Sequence, residues 1–313
     1  MIDLGALGGP EFNSAAFGIN NQGHVVGISN KIVGYGVNAF GERYPIQETR
    51  ACLWAKGRIQ DLGVLGSFHG YGYSMAAAIN NRGQVVGYST TANSNAHAFL
   101  WENGSMSDLG TLGGPTSSAV GINERGQVVG GSLTANGSSH VFLWEKGVMT
   151  DLGTFGGEQA GAIAINNSGQ ILAATQMASG EVRYFVWDKG AITLLPSSPI
   201  LMLPKGINNQ GEVVGWSWSL QNTYRPLLWH KDALVDLGTL GGATATAQAI
   251  NNRGQVTGYS ATANGDIHAF LWEKGLMIDL GTLRGNYSDA YAINDLGQVA
   301  GQSAGHAYVT APR

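Results

Sequence analysis

The run Phe68-His69-Gly70-Tyr71-Gly72-Tyr73 places an imidazole and two phenols close together in the chain. Arg284, Tyr287 and Asp289 add a guanidinium, a third phenol and a carboxylate. His or Tyr can move a proton, and Arg holds an anionic group through its fixed fork of donors. Aromatic faces with a few polar anchors suit a sugar ring or another planar ligand. His69, Tyr71, Tyr73 and Asp289 are therefore the candidate catalytic set. Tyr35, Arg43, Tyr44, Phe68, Arg284 and Tyr287 join these four as candidate binding residues. No motif turns the set into a named chemistry. The chain has no phosphate loop, His-Glu-x-x-His, EF-hand loop or strand–turn–helix nucleophile elbow.

The elements that must position these residues are repeats. Ile-Asn followed by a Gly-containing turn recurs at Asn20, Asn80, Asn123, Asn166, Asn208, Asn251 and Asn294. The gaps are 60, 43, 43, 42, 43 and 43 residues, and a fixed period in that range marks a repeat architecture. Each repeat holds four short apolar runs bounded by Asn/Gly turns. In one of them these are Thr246–Ile250, Gln255–Ser260, His268–Trp272 and Leu276–Leu280. Runs of that length with such turns read as strands joined by hairpins, and four of them form one blade of a β-propeller.

The sequence predicts an all-β, seven-bladed β-propeller with four antiparallel strands per blade in a single domain. The blades are expected at 14–62, 74–109, 117–152, 160–195, 203–237, 246–280 and 288–309. The last lacks its fourth strand. Met1-Ile2-Asp3-Leu4-Gly5 matches Met277-Ile278-Asp279-Leu280-Gly281, so residues 1–4 should complete blade 7 and close the ring. Small residues before Ile-Asn place that strand innermost, because blades crowd at the axis. The tight turns then share one face, and the longer loops form the other, here termed the top.

The run His97-Ala98-Phe99-Leu100-Trp101, repeated as His268-Ala269-Phe270-Leu271-Trp272, resembles the signature of the HAF repeat family. The flanking Asp-Leu-Gly-Thr-Leu-Gly-Gly and Ile-Asn-x-x-Gly-Gln-Val-Val-Gly segments resemble it too, over essentially the whole chain. Blades 1, 5 and 7 depart from the signature, reading Arg50-Ala51-Cys52, Arg225-Pro226-Leu227 and His306-Ala307-Tyr308. The resemblance implies a bacterial source and an extracellular or periplasmic location; the N-terminus shows no basic segment followed by an apolar one, so a secretory signal either never existed or is missing from this sequence. It implies no activity, and a fold of this kind hosts many.

Residues that recur in every blade are expected to build blades. His97, His140, His268 and His306 occupy one position in different blades, with Arg50, Arg183 and Arg225 as substitutes. Arg cannot ligate a metal, so these side chains should be structural hydrogen-bonding groups, and no metal site is expected. Function is sought where the chain leaves its own template. Blade 1 carries a 13-residue insertion containing Lys31, Tyr35, Arg43, Tyr44 and Glu48, and the loop entering blade 2 has four extra residues. Arg284, Tyr287 and Asp289 precede or open blade 7. Blades 7, 1 and 2 are consecutive in a closed ring, so one ligand site is expected at that sector of the channel mouth. Blade 5 is a second irregular region, with Pro196, Pro199, Pro204, Lys205, Trp216, Trp218 and Tyr224.

Charged residues make up only 12% of the chain and the formal net charge is -4, which argues against nucleic acid as a partner. The single cysteine, Cys52, excludes an intrachain disulfide. No apolar run is long enough for a helical membrane span. These observations point to a module binding a glycan, a peptide or a small acidic or aromatic ligand, with no cofactor. The alternative is an enzyme of the lyase, hydrolase or aromatic-alkylating type at the same mouth. A third reading is an oligomerising surface protein.

Overall fold

A computed structural model describes residues 1–38, 40–68, 70–196, 202–218, 223–231 and 233–313. The described residues form seven four-stranded antiparallel sheets, and the chain is a seven-bladed β-propeller. Blade 6 is representative: Gly241–Ile250 is innermost, followed outward by Val256–Thr262, Ile267–Glu273 and Leu276–Asp279. Blade 7 takes its outer strand from the opposite end of the chain. Ile2–Asp3 pairs antiparallel with His306–Val309, with Ile2 opposite Val309.

Seven apolar clusters fill the seven junctions between blades. In the junction of blades 1 and 2, Leu53 and Leu62 pack against Phe99 and Trp101. In that of blades 7 and 1, Cys52 and Trp54 pack against Ala292, Ala300 and Ala307. A blade buries its two faces only against its neighbours, so the ring is stable when it is closed.

The Asn of each Ile-Asn pair explains the repeat. In Asn80, Oδ1 accepts the amides of Arg82 and Gln84, which holds the inner turn. Nδ2 of the same residue donates to the main-chain carbonyl of Asn123 in the next blade at 3.1 Å. The same bond runs from Asn20 to Asn80 and onward through Asn123, Asn166, Asn208, Asn251 and Asn294. A second ring lies beside it. The amide of Asn21 donates to Asn81 Oδ1, that of Asn81 to the Glu124 carboxylate, and so on through Asp295 back to Asn21.

Each inner strand carries a β-bulge at one residue: Phe17, Ala77, Val120, Ile163, Lys205, Gln248 or Tyr291. A bulge breaks the ladder locally and re-aims a side chain. Opposite it, in six blades, the second strand has glycine. A Cβ at Gly87 would stand 1.8 Å from the Met75 carbonyl oxygen, and one at Gly301 1.9 Å from that of Asp289. The glycine of the Val-Val-Gly motif is thus required by the close approach of the two innermost strands.

Candidate functional site

The blade 1 insertion is a long hairpin rather than an open loop. Val25–Val37 and Arg43–Ala55 pair along their length and turn at Asn38–Glu42. Tyr35 and Arg43 meet near its tip, with the guanidinium 4.7 Å from the ring centroid. Tyr44 is exposed on the same extension. The hairpin base meets the loop entering blade 2, where Phe68 and Tyr71 form a bridge across its tip. His69 lies outside the described residues.

Between these two elements is a groove of about 550 Å³, lined by Gln47, Glu48, Thr49, Phe68, Tyr71, Gly72, Tyr73, Thr90 and Ser94. Phe68 and Tyr71 remain 46% and 55% exposed. Tyr73 forms the inner wall, stacked on Tyr88 at 5.6 Å between centroids. Burial, then the hydrogen bond to Tyr88, pushes its phenol well above the ordinary tyrosine value. At the groove wall, Glu48 accepts the Gly72 amide at 2.8 Å and is ion-paired with the partly buried Arg50. Its carboxylate fixes the loop and is not free to act as a base.

The other expected residues do not join this groove. Arg284 is exposed in the loop between the outer strand of blade 6 and the inner strand of blade 7, 3.9 Å from the Asp3 carboxylate. Tyr287 lies at the junction of blades 6 and 7, bridged to Ile267. Asp289 is only 4% exposed, on the inner strand of blade 7. The expected single site over blades 7, 1 and 2 is therefore three separate places. Loop length predicts which segments rise above the top face, but not the direction in which a short loop turns its side chains.

A second arrangement lies in the channel. Seven isoleucines, one per blade, line both a lower cavity and an upper one. The lower cavity is ringed by the asparagine turns, with Glu124 and Asp295 as its carboxylates. The upper cavity, of about 240 Å³, is lined by the bulge residues. Phe17 and Tyr291 touch there, with ring centroids 5.5 Å apart. Asp289 stands behind Tyr291. Burial pushes its carboxyl up to about 7, against the opposing pull of hydrogen bonds from the Tyr291 hydroxyl and the Ala290 amide. Asp289 Oδ1 and the Tyr308 hydroxyl are buried with no hydrogen-bond partner among the described residues. Tyr291 does not stand out in the linear sequence. Aligning the repeats column by column separates it, with Lys205 and Gln248, from the apolar Phe17, Ala77, Val120 and Ile163 at the same position.

The repeated histidines are structural. Nδ1 of His97, His140, His268 and His306 lies 2.8–2.9 Å from the outer-strand carboxylate of Asp108, Asp151, Asp279 and Asp3. Arg225 makes the same pair with Asp236. Two substitutes behave differently. Arg50 turns to Glu48, leaving Asp61 to Lys31, and Arg183 pairs with Glu181 where the outer strand has Leu194 in place of Asp. The recurring Asp also accepts an amide two residues on, as Asp108 does from Gly110 at 2.8 Å.

No protein-family model matches this chain, and no curated protein matches it. Its fold is similar to that of a puromycin-hydrolysing peptidase from Mycobacterium tuberculosis, with TM-score 0.57 and 9% identity over 93% of this chain. A puromycin hydrolase is similar at TM-score 0.57 and 11% identity over 92% of this chain. The chain spans 57% and 58% of those two proteins. The Aleuria aurantia lectin aligns over 87% of this chain and 98% of its own, with 12% identity and TM-score 0.45. Likeness at these levels concerns the propeller alone.

Proposed function

We propose that this propeller is a carbohydrate-binding module whose ligand lies in the top-face groove between blades 1 and 2. The observation that carries this reading is the half-exposed Tyr71 ring beside the Tyr73 wall, in a groove that Phe68 also lines. An aromatic face stacks on the apolar face of a sugar ring at small entropic cost, since the loop already holds it. The Glu48–Arg50 pair and the Glu48–Gly72 bond keep that loop in place. The groove of about 550 Å³ is within the range of small-ligand sites. Binding is favoured over catalysis because Glu48 is committed to the loop and Asp289 stands at another blade junction.

Saturation-transfer NMR with soluble oligosaccharides tests the reading. Binding should be lost in Tyr71→Ala while the melting temperature stays near that of the parent. Transfer that persists unchanged in both Tyr71→Ala and Phe68→Ala would remove the groove from consideration.

A further inference from the structure

We infer that the upper channel cavity is a separate site for a small hydroxycarboxylate, held by Lys205, Gln248 and Tyr291. This site is independent of the rim groove and shares no residue with it. Three consecutive blades contribute the polar groups at the same bulged position of their inner strands. The bulge aims them at the axis, and Tyr291 demonstrates that direction by meeting Phe17 across the blade junction.

The chemistry of each group selects the ligand. The Lys205 side chain is exposed in the channel and makes no ion pair among the described residues. An unpaired ammonium facing a confined space favours an anion, and a carboxylate accepts its hydrogen bonds strongly. Tyr291 lines the same cavity, and its hydroxyl can both donate to a ligand carboxylate and accept from a ligand hydroxyl. Gln248 stands between them and both donates and accepts. The opposite arc is small and apolar, with Ala77 and Val120, and has no charge to match a second ionic group. At about 240 Å³ the cavity is smaller than a drug-sized pocket, which fits a compact ligand.

Asp289 supplies the second observation. A carboxylate 4% exposed, with Oδ1 unpartnered, is costly unless something depends on it. Its carboxyl lies two residues before Tyr291 on the same strand and is electrostatically coupled to that phenol, which lines the cavity. Fixing the orientation of that phenol is what Asp289 does here, as a positioning residue.

Isothermal titration with D-gluconate, L-tartrate and inorganic phosphate tests the site on the whole chain. Gluconate or tartrate should bind, and Lys205→Met should weaken that binding about tenfold or more, as for a lost charge-assisted hydrogen bond. Tyr291→Phe should weaken it about three- to tenfold and Tyr71→Ala should leave it unchanged. An unchanged melting temperature of Lys205→Met verifies that the variant is folded. In a second measurement, the bound hydroxy acid should protect Lys205 from acetylation by acetic anhydride, read by mass spectrometry. Phosphate binding as tightly as both hydroxy acids would overturn the assignment, as would no binding of either acid. So would loss of binding in Tyr71→Ala with retention in Lys205→Met.

Discussion

Asn294 Nδ2 donates to the main-chain carbonyl of Asn20 at 2.9 Å, joining residues 274 positions apart. The same bond links every other pair of neighbouring blades, so the closing contact is chemically one of seven equals. Asn294 also accepts the amides of Leu296 and Gln298 through Oδ1. Asn294→Ala should therefore cost about 2–4 kcal/mol, from several buried groups left without partners. Urea denaturation should give a similar loss for Asn123→Ala. A much smaller loss for Asn294→Ala would mean that closure contributes little.

Removal of Met1–Gly5 takes away the outer strand of blade 7, the His306–Asp3 pair, and the packing of Met1 and Leu4 against two junctions. It leaves His306–Val309 as an unpaired edge. The truncated protein should melt well below the parent or aggregate on concentration. An unchanged melting temperature would contradict the observed pairing.

Removal of the repeated histidines would be costly if it left a buried carboxylate without its partner. Their carboxylate partners are instead partly open to solvent: the Asp108 and Asp279 side chains are 42% and 44% exposed. His97→Ala and His268→Ala should each cost about 0.5–1.5 kcal/mol, less than for a buried pair. His97→Arg should be close to neutral, because Arg225 already makes the equivalent bond in blade 5. Thermal melts of the three variants check the order.

Asp289 makes stability depend on pH. Its carboxyl is pushed from the ordinary 3.8 up to about 7, so the folded chain holds a proton that the unfolded chain has released. Stability is then full below about pH 4 and falls as pH rises towards 7, by on the order of 3–4 kcal/mol. Asp289→Asn should match the parent at pH 4 and melt higher at pH 8. A variant that melts lower at pH 8 would show that the ionised carboxylate is stabilising.

The fold was legible because it is written seven times. Small residues beside the axis, Asn-Gly turns and the outer Asp each have one structural duty, and repetition averages away local exceptions. The site was legible only in part. Extra residues before Tyr71 and Tyr73 pointed to a top-face loop, and those two side chains do share a groove with Phe68. Tyr287 and Asp289 are close to them in ring order but belong to another junction. The inward turn of Tyr291 and Lys205 depends on a bulge, and a bulge is a feature of register between strands that the linear pattern does not contain.

The ring of asparagines has an electrical consequence. Every Nδ2 donates in the same rotational sense, so seven amide dipoles follow one another head to tail around the axis. Vectors arranged in a closed circuit cancel, and the circuit polarises each of its own bonds without projecting a field along the channel. A helix end gathers parallel dipoles and attracts ions; this circle does not. The charge at the lower mouth therefore comes from side chains alone: the carboxylates of Glu124 and Asp295, with Arg82, Arg125 and Arg253 on the same turns.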